Sequence, residues 1–270
     1  MRYTFGNSDA AAKRLGEIAE VFNPRAAEFV RAYLPKRVGV AVDLGCGPGF
    51  TTEMLAAATG AKRVIGLDKS PDFLRMARER LPGCEFVEHD VTRTPFPCGA
   101  PNVLYARSLL SHLPGPVALV DRWADQLAPG GVLLVEELEA IATHLPVFRR
   151  YLEVNTALIA SQGAELFVGE TLARGDYRNR LLCNAPTGFP VPTCRAASWF
   201  LANVSTVWQT DPFIHARVPP AERESIRAEL TRLAALPPGE SAIAWTMRRL
   251  VVSSDTAGQT DRYSAQGKGG

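Results

Sequence analysis

The chain has 270 residues, 46% of them hydrophobic, and a formal net charge of +2. That apolar content suits the core of one large domain, or of one domain with a cap, and excludes global disorder. Lys and Arg are scattered without a basic block, which argues against nucleic-acid and membrane partners, and the five cysteines are odd in number without CxxC spacing, so neither a zinc site nor a disulfide framework is expected.

In chain order, residues 1–36 read as two amphipathic helices. Ala11, Leu15, Ile18, Ala19 and Phe22 fall at helical spacing, as do Phe29, Val30 and Tyr33. Asn23-Pro24 is expected to break the pair, because the residue before proline is pushed out of the helical region. Pro35 is expected to end the second helix. Val38–Leu44 reads as a strand. Gly45, Gly47 and Gly49 alternate through the turn after it, and a helix over Thr51–Thr59 ends at Gly60, a suitable C-cap. Arg63–Asp68 is the second strand. Ser70 as N-cap and Pro71 at the first helical position open a helix to about Arg80. Cys84–Asp90, Asn102–Ala106 and Val132–Glu136 read as further strands, with a helix over Val117–Leu127 and a Pro129-Gly130-Gly131 turn. Strands alternating with helices predict a mostly parallel sheet whose ligand lies outside the strand carboxyl ends. The glycine turn, Asp68, Asp90, Arg107 and Glu136–Glu139 are therefore expected at one edge.

Beyond residue 140 the pattern is less regular. Leu145 to about Ala173 reads as helical, with Gly163 as a break. Asn179–Pro192 is a poor central strand because of its prolines. Thr193–Val207 and Pro220–Ala235 read as helices, and Ala242–Val252 as a late strand. Segments 179–192 and 242–252 are expected to pair antiparallel at the sheet edge, with 193–236 inserted between them as a cap. Trp199, Trp208 and Trp245 are expected to pack in the core or cap. Residues 253–270 are polar and expected to be a disordered tail. With neither a charged-then-apolar leader nor an apolar run of about 18 residues, a cytoplasmic protein is expected.

The glycine turn points to a ligand. Glycines allow positive φ and close backbone approach. The free N–H groups of the following helix favour a polar or anionic group. A dinucleotide site would read G-x-G-x-x-G, but here the third glycine falls one place early and Phe50 stands in its place. Asp68, about 20 residues past the turn, is placed to accept from a ribose diol. Asp90 can accept from the exocyclic amine of a purine, and Asp43 can pair a cationic amino group. S-adenosylmethionine (SAM) has an adenine, a ribose and an ammonium, and its sulfonium suits carboxylates.

Val40–Phe50 resembles the first motif of class I SAM-dependent methyltransferases, an acidic residue followed by x-G-x-G-x-G. The resemblance continues through Gly66–Ser70, Phe86–Val91, Leu109–Pro114 and Leu127–Glu136, in family order over about residues 38–137. The His-Leu-Pro segment and the Pro-Gly-Gly turn look most like small-molecule enzymes similar to the trans-aconitate and ubiquinone/menaquinone methyltransferases. The resemblance implies an α/β, Rossmann-like, mostly parallel seven-stranded sheet flanked by helices, with an antiparallel last hairpin, N-terminal helices and a helical cap insertion. Residues 1–36 would be a helical lid, 37–140 the SAM-binding core, and 141–252 the cap with the last strands. Gly45 and Gly47 would line the methionine part of SAM, with Cys46 between them as a small filler. Asp43 would act through the loop. Asp68 would take the ribose hydroxyls, Lys69 would flank the adenine, Asp90 would meet its amine and Val91 would lend an N–H. Arg107 would follow strand four, near the transferring methyl.

The expected activity is methyl transfer from SAM to a small-molecule acceptor with an O, N or C nucleophile, by in-line displacement. His112 and His144 are candidate bases where the acceptor carries a proton. The competing readings are a nicotinamide-dinucleotide oxidoreductase and a SAM-binding module without turnover. The expected state is a monomer or homodimer.

Overall fold

A computed structural model describes residues 8–254. Helix α1 (Asp9–Ala32) leads into β1 (Val40–Leu44), α2 (Phe50–Thr59), β2 (Arg63–Asp68), α3 (Pro71–Arg80) and β3 (Glu85–Glu88). Then come β4 (Val103–Arg107), a 3-10 turn (Leu110–His112), α4 (Pro116–Ala124) and β5 (Val132–Ala142). The remainder is α5 (Pro146–Ser161), α6 (Gly169–Ala173), β6 (Arg180–Pro192), α7 (Thr193–Val204), α8 (Val207–Thr210), α9 (Pro212–Arg217), α10 (Pro220–Ala234) and β7 (Ala242–Ser253).

The strands form a seven-stranded sheet in the order β3-β2-β1-β4-β5-β7-β6. The first five run parallel, and β7 pairs antiparallel with both β5 and β6. Strand order reverses between β1 and β4, and at such a switch point the loops part to leave a crevice. The expected α/β sheet with a reversed last hairpin is therefore what the chain forms. Ser70 caps α3 as expected, its hydroxyl accepting the Phe73 N–H, and Gly60 ends α2 with φ 57°.

Several expectations change. Residues 9–32 form one helix, not two: Pro24 sits inside α1. An interior proline costs about 3 kcal/mol through its lost hydrogen bond and ring clash. Ala19 and Phe22 before it, and Ala26, Phe29 and Val30 after it, are all buried on one continuous face. Each large apolar side chain contributes about 1.5–3 kcal/mol on burial, which outweighs the proline. Asn23 adds a side-chain hydrogen bond to the Phe50 carbonyl at 3.0 Å.

Strand β3 stops at Glu88, so Asp90 lies in the following turn. Strand β5 runs six residues past Glu136 to Ala142, because β7 pairs with it over its length. Strand β6 forms despite Pro186, Pro190 and Pro192 because it lies at the sheet edge, where prolines are tolerated. The expected tail begins too early at 253. Ser253 ends β7, and Ser254 is tied to the Pro-Gly-Gly turn, its hydroxyl donating to the Ala128 carbonyl at 2.7 Å. Residues 255–270 of that expectation lie outside the described residues.

Helices α5 and α7–α10 pack into a helical cap with its own apolar core, in which Tyr151 stacks between Phe200 (4.0 Å) and Trp208 (5.6 Å). No helix among the described residues is long and apolar enough to cross a membrane.

Pro24 is exposed, so its ring has no packing to lose. Pro24→Ala is expected to stabilise the protein by about 1–3 kcal/mol through the restored helix bond. Urea denaturation checks this; a lower midpoint would mean that the proline directs α1 in a way its contacts do not reveal.

Candidate active site

The crevice at the switch point opens into one cavity of about 480 Å³, within the usual range of roughly 300–1,000 Å³ for small-ligand sites. Its floor is the β1–α2 turn. Gly45, Gly47 and Gly49 all have positive φ, at 66°, 52° and 86°. Gly45 is also required by contact: a Cβ there would stand 2.6 Å from Leu109 Cδ1. At Gly47 a Cβ would meet only Leu15, at 3.9 Å, so this glycine leaves open the cavity space between the turn and α1.

The carboxylate of Asp68 binds this turn to its neighbours. Oδ2 accepts the Gly47 N–H at 2.9 Å and Oδ1 accepts the Ser70 N–H at 2.8 Å. Burial pushes its carboxyl above the usual range, against those amides. Asp90 also faces the cavity, with Oδ1 taking the Thr92 N–H (3.0 Å) and hydroxyl (2.7 Å). Burial works upward on this carboxyl too, but the Thr92 hydrogen bonds, Lys69 and Arg93 outweigh it, and the net shift is downward. Val91 lines the wall and is anchored by Trp123, whose indole donates to the Val91 carbonyl at 2.8 Å.

Of the residues singled out from sequence, Gly45, Cys46, Gly47, Asp68, Lys69, Asp90, Val91, Arg107 and His112 all line this cavity. Cys46 is buried against Leu74, Ala77 and Phe86. Burial, with the charges of Asp43 and Asp68, raises its thiol well above the normal range, so it is a filler and not a nucleophile. Arg107 ends β4, and its Nη1 is buried without a hydrogen-bond partner among the described residues. His112 is half-buried; burial, reinforced by Arg14, pushes its imidazole down to about 4, so it is neutral at pH 7.

Two expected residues fall outside. Asp43 is buried at 1% exposure and faces α2, its Oδ2 accepting the Thr51 (2.6 Å) and Thr52 (2.7 Å) hydroxyls. It fastens strand to helix behind the glycine turn and does not reach the cavity. His144 is exposed past the end of β5 and is not part of the wall. The acidic run on β5 also leaves the rim: Glu136 accepts from Tyr105 (2.7 Å) and Arg249 (2.8 Å), and Glu139 pairs with Arg248.

The structure adds residues that sequence reasoning missed. Helix α1 brings Arg14, Leu15, Ile18 and Phe22 to the cavity. Ser108 lines it with φ 53°, a conformation that costs a non-glycine residue on the order of 1 kcal/mol or more and marks the loop after β4 as strained. Glu137, fully buried, holds that loop: its Oε1 accepts the Leu109 and Leu110 N–H groups, both at 2.7 Å. Only the acidic run signalled it, and a solvated rim was the natural reading of such a run.

A strand–glycine turn–helix opposite two carboxylates at a switch point defines a nucleoside-binding α/β domain of the Rossmann type. Residues 41–131 match the family described as "Methyltransferase domain". The chain is 48% identical over 96 residues to the trans-aconitate 2-methyltransferase of Paracidovorax citrulli, covering 35% of this chain and 37% of that one. It is 42% identical over 113 residues to the enzyme of that name from Rhizobium leguminosarum bv. trifolii, covering 42% and 44%. The chain thus spans less than half the length of these curated relatives. In fold it is similar to the YcgJ protein of Bacillus subtilis, with a TM-score of 0.54 at 15% identity over 87% of this chain and 98% of that one. Residues 41–131 are thus similar to a methyltransferase domain, and they hold the first four strands of the seven-stranded sheet and the glycine turn.

Burial pushes the Glu137 carboxyl up to about 7 and that of Asp43 up to about 6, each against its own hydrogen bonds. In the unfolded chain both ionise near pH 4, so the folded state binds more protons between about pH 4 and 7. The stability these groups confer is complete at low pH and falls as pH rises towards 7. Glu137→Gln is expected to shrink the loss of thermal stability between pH 5 and pH 7.5, leaving the Asp43 part. A melting-temperature series across that window checks the sign.

Proposed function

We propose that this chain transfers the methyl group of SAM to a small-molecule acceptor, with the cofactor on the glycine turn and the acceptor beneath the helical cap. The observation that carries this reading is one continuous cavity, lined at one end by Gly45–Gly47, Asp68 and Asp90 and at the other by α1, α5, α7 and β7. The similarity to the trans-aconitate 2-methyltransferases supports the reaction class and makes trans-aconitate the first acceptor to try.

The residues suit SAM better than a dinucleotide. The Gly47 N–H is already given to Asp68, so a pyrophosphate would compete with a carboxylate for it and be repelled by that charge. A ribose diol instead donates to the oxygens of Asp68, each of which keeps accepting capacity beyond its one amide. Asp90 would take the adenine amine, and Lys69 would flank the ring. The space a Cβ on Gly47 would fill is where the methionine part would lie.

Bound SAM supplies a methyl group on a sulfonium. The protein's part is to hold the acceptor in line with it and keep water out. Helix α1 would act as a lid, residues 37–140 would hold the cofactor, and 141–252 would choose the acceptor. His112, held near 4, is a weak base at neutral pH, so it serves the acceptor as a hydrogen-bonding wall.

Calorimetry is expected to show SAM and its demethylated product binding, with NAD not competing. Asp68→Asn is expected to weaken SAM binding by about ten- to a hundredfold, from the loss of charged hydrogen bonds worth about 1.5–3 kcal/mol each. Unchanged affinity in a folded variant would remove the ribose assignment. His112→Ala is expected to keep methyl transfer within about tenfold, since general-base loss costs about 10²–10⁴. A thousandfold drop in turnover at unchanged SAM affinity would make His112 the base.

A further inference from the structure

Arg107 ends β4 where the two halves of the cavity join. Ala106 is level with Leu44 of β1, so the next step along the strands sets Arg107 beside Gly45 of the glycine turn. On its other side Arg107 is level with Glu136 of β5, and Leu138, two residues further along β5, lines the cavity under the cap. The Arg107 side chain is half-buried. Its Nη1 is buried without a partner, and no ion pair among the described residues includes it, whereas Arg248 and Arg249 on β7 are both paired. The acids nearest to it along the sheet are taken. Glu136 accepts from Tyr105 and Arg249, and Asp43, which feels the Arg107 charge, accepts the Thr51 and Thr52 hydroxyls. Of the other cationic side chains on the cavity wall, Lys69 is exposed and Arg14 already has a partner.

A half-buried guanidinium with no carboxylate has lost water and gained nothing in exchange. Arginines that serve only the fold are paired when they are buried. Nε and Nη2 of Arg107 are not closed off as Nη1 is. Planar donors in a fixed fork match the two oxygens of a carboxylate. The position of the fork selects between the two molecules that would meet in the cavity. Gly47, where the methionine part of SAM is placed, is bonded to Asp68 on the β2 side of the turn. Arg107 stands on the opposite, β4 side, towards β5. A group there meets the acceptor at its reacting end. Beyond it the sheet offers Leu138, Ile141 and Met247 to the cavity, and among the described residues β5 and β7 put no charged side chain on that wall.

We propose that Arg107 is the residue on which the acceptor docks, and that the acceptor is a carboxylic acid whose reacting carboxylate lies on this guanidinium. This rests on the methyltransferase reading above and narrows its acceptor to one chemical class. In the step, a lone pair of one carboxylate oxygen forms the new O–C bond while the methyl C–S bond breaks and its electron pair returns to sulfur. A carboxylate and a sulfonium become a neutral methyl ester and a neutral thioether, and no proton moves. The ion pair with Arg107 exists before the transfer and is gone after it, so the ester is held less tightly than the acid.

Calorimetry of the full chain with SAM comes first; no binding would overturn the methyltransferase reading and this inference with it. In a protein that binds SAM, trans-aconitate and a panel of aliphatic and aryl monocarboxylic acids are each incubated with SAM and weighed for the gain of one methyl. The alcohols, phenols and amines of matching carbon skeleton are run beside them. At least one acid is expected to become its methyl ester, and its matching alcohol or amine to stay unmethylated. Arg107→Met is expected to lower kcat/KM for that acid by about a hundredfold, as the loss of two charged hydrogen bonds implies. SAM affinity is expected to stay within about threefold, and the melting temperature not to fall, because the replaced side chain has no partner to lose. Arg107→Lys, which keeps the charge and loses the fork, is expected to fall between the two. The methyl ester is expected to bind the protein saturated with demethylated SAM about tenfold more weakly than the acid, as the loss of the ion pair implies. Four results would overturn the proposal. One is a protein that binds SAM and methylates none of the acids. Another is an unchanged kcat/KM in Arg107→Met. A third is a loss of SAM affinity in that variant matching the loss of kcat/KM, which would give the guanidinium to the carboxylate of SAM itself. The last is a melting temperature that drops in both variants, which would make Arg107 part of the fold.

Discussion

The carboxylate of Asp68 takes N–H groups from two segments at once, Gly47 at 2.9 Å and Ser70 at 2.8 Å. It stands at the end of β2, next to the strand that feeds the glycine turn. Through it the turn is drawn against β2 and α3 is started in register. The Gly45 and Cys46 N–H groups, both donated to the Leu67 carbonyl, complete the clamp. A turn with three left-handed glycines has little stiffness of its own. Its shape is imposed by this carboxylate and by Asp43 behind it, which ties β1 to the first turn of α2. The glycine turn is thus held from two sides, by the half-buried Asp68 and the buried Asp43.

What was legible in the sequence is what local chemistry decides. The strand–turn–helix at residues 40–59, the Ser70-Pro71 helix start and the Gly60 stop depend on neighbours in the chain, and they form as read. Most candidate cofactor residues reach the cavity because parallel topology places strand ends together. What failed was decided by distant partners. Pro24 remains helical because α1 has a continuous face to bury. Strand β5 outgrows its expected end because β7 supplies a ladder from more than a hundred residues away. Asp43 and Glu137 fall near the ligand edge in the topology, but Asp43 takes the Thr51 and Thr52 hydroxyls of α2 and Glu137 takes the amides of the loop after β4, relations that spacing does not reveal.

The two halves of the cavity also differ in how they are encoded. The floor comes from a short run of chain and from strand ends in sequence order, so it makes motifs. The wall under the cap takes its rings from α1, α5, α7 and β7, at positions from Phe22 to Trp245. No window of sequence contains that surface. It emerges only when the cap closes on α1, and this is why the aromatic residues read as separate packing residues.

Strand β7 lies between β5 and β6 although it is the last element of the chain to be described. During synthesis, β6 therefore emerges without any strand to pair with, and α7–α10 leave the ribosome before it has one. The parallel half of the sheet can close around its glycine turn much earlier, since each new strand finds its neighbour already made. Ser254 then fastens the end of β7 back to the Ala128–Gly131 turn. The nascent chain thus acquires its glycine-turn floor early and completes the wall under the cap at the end, with Trp245 and Met247 among the last parts delivered. A stalled or prematurely ended chain would carry the first half of the site without the second.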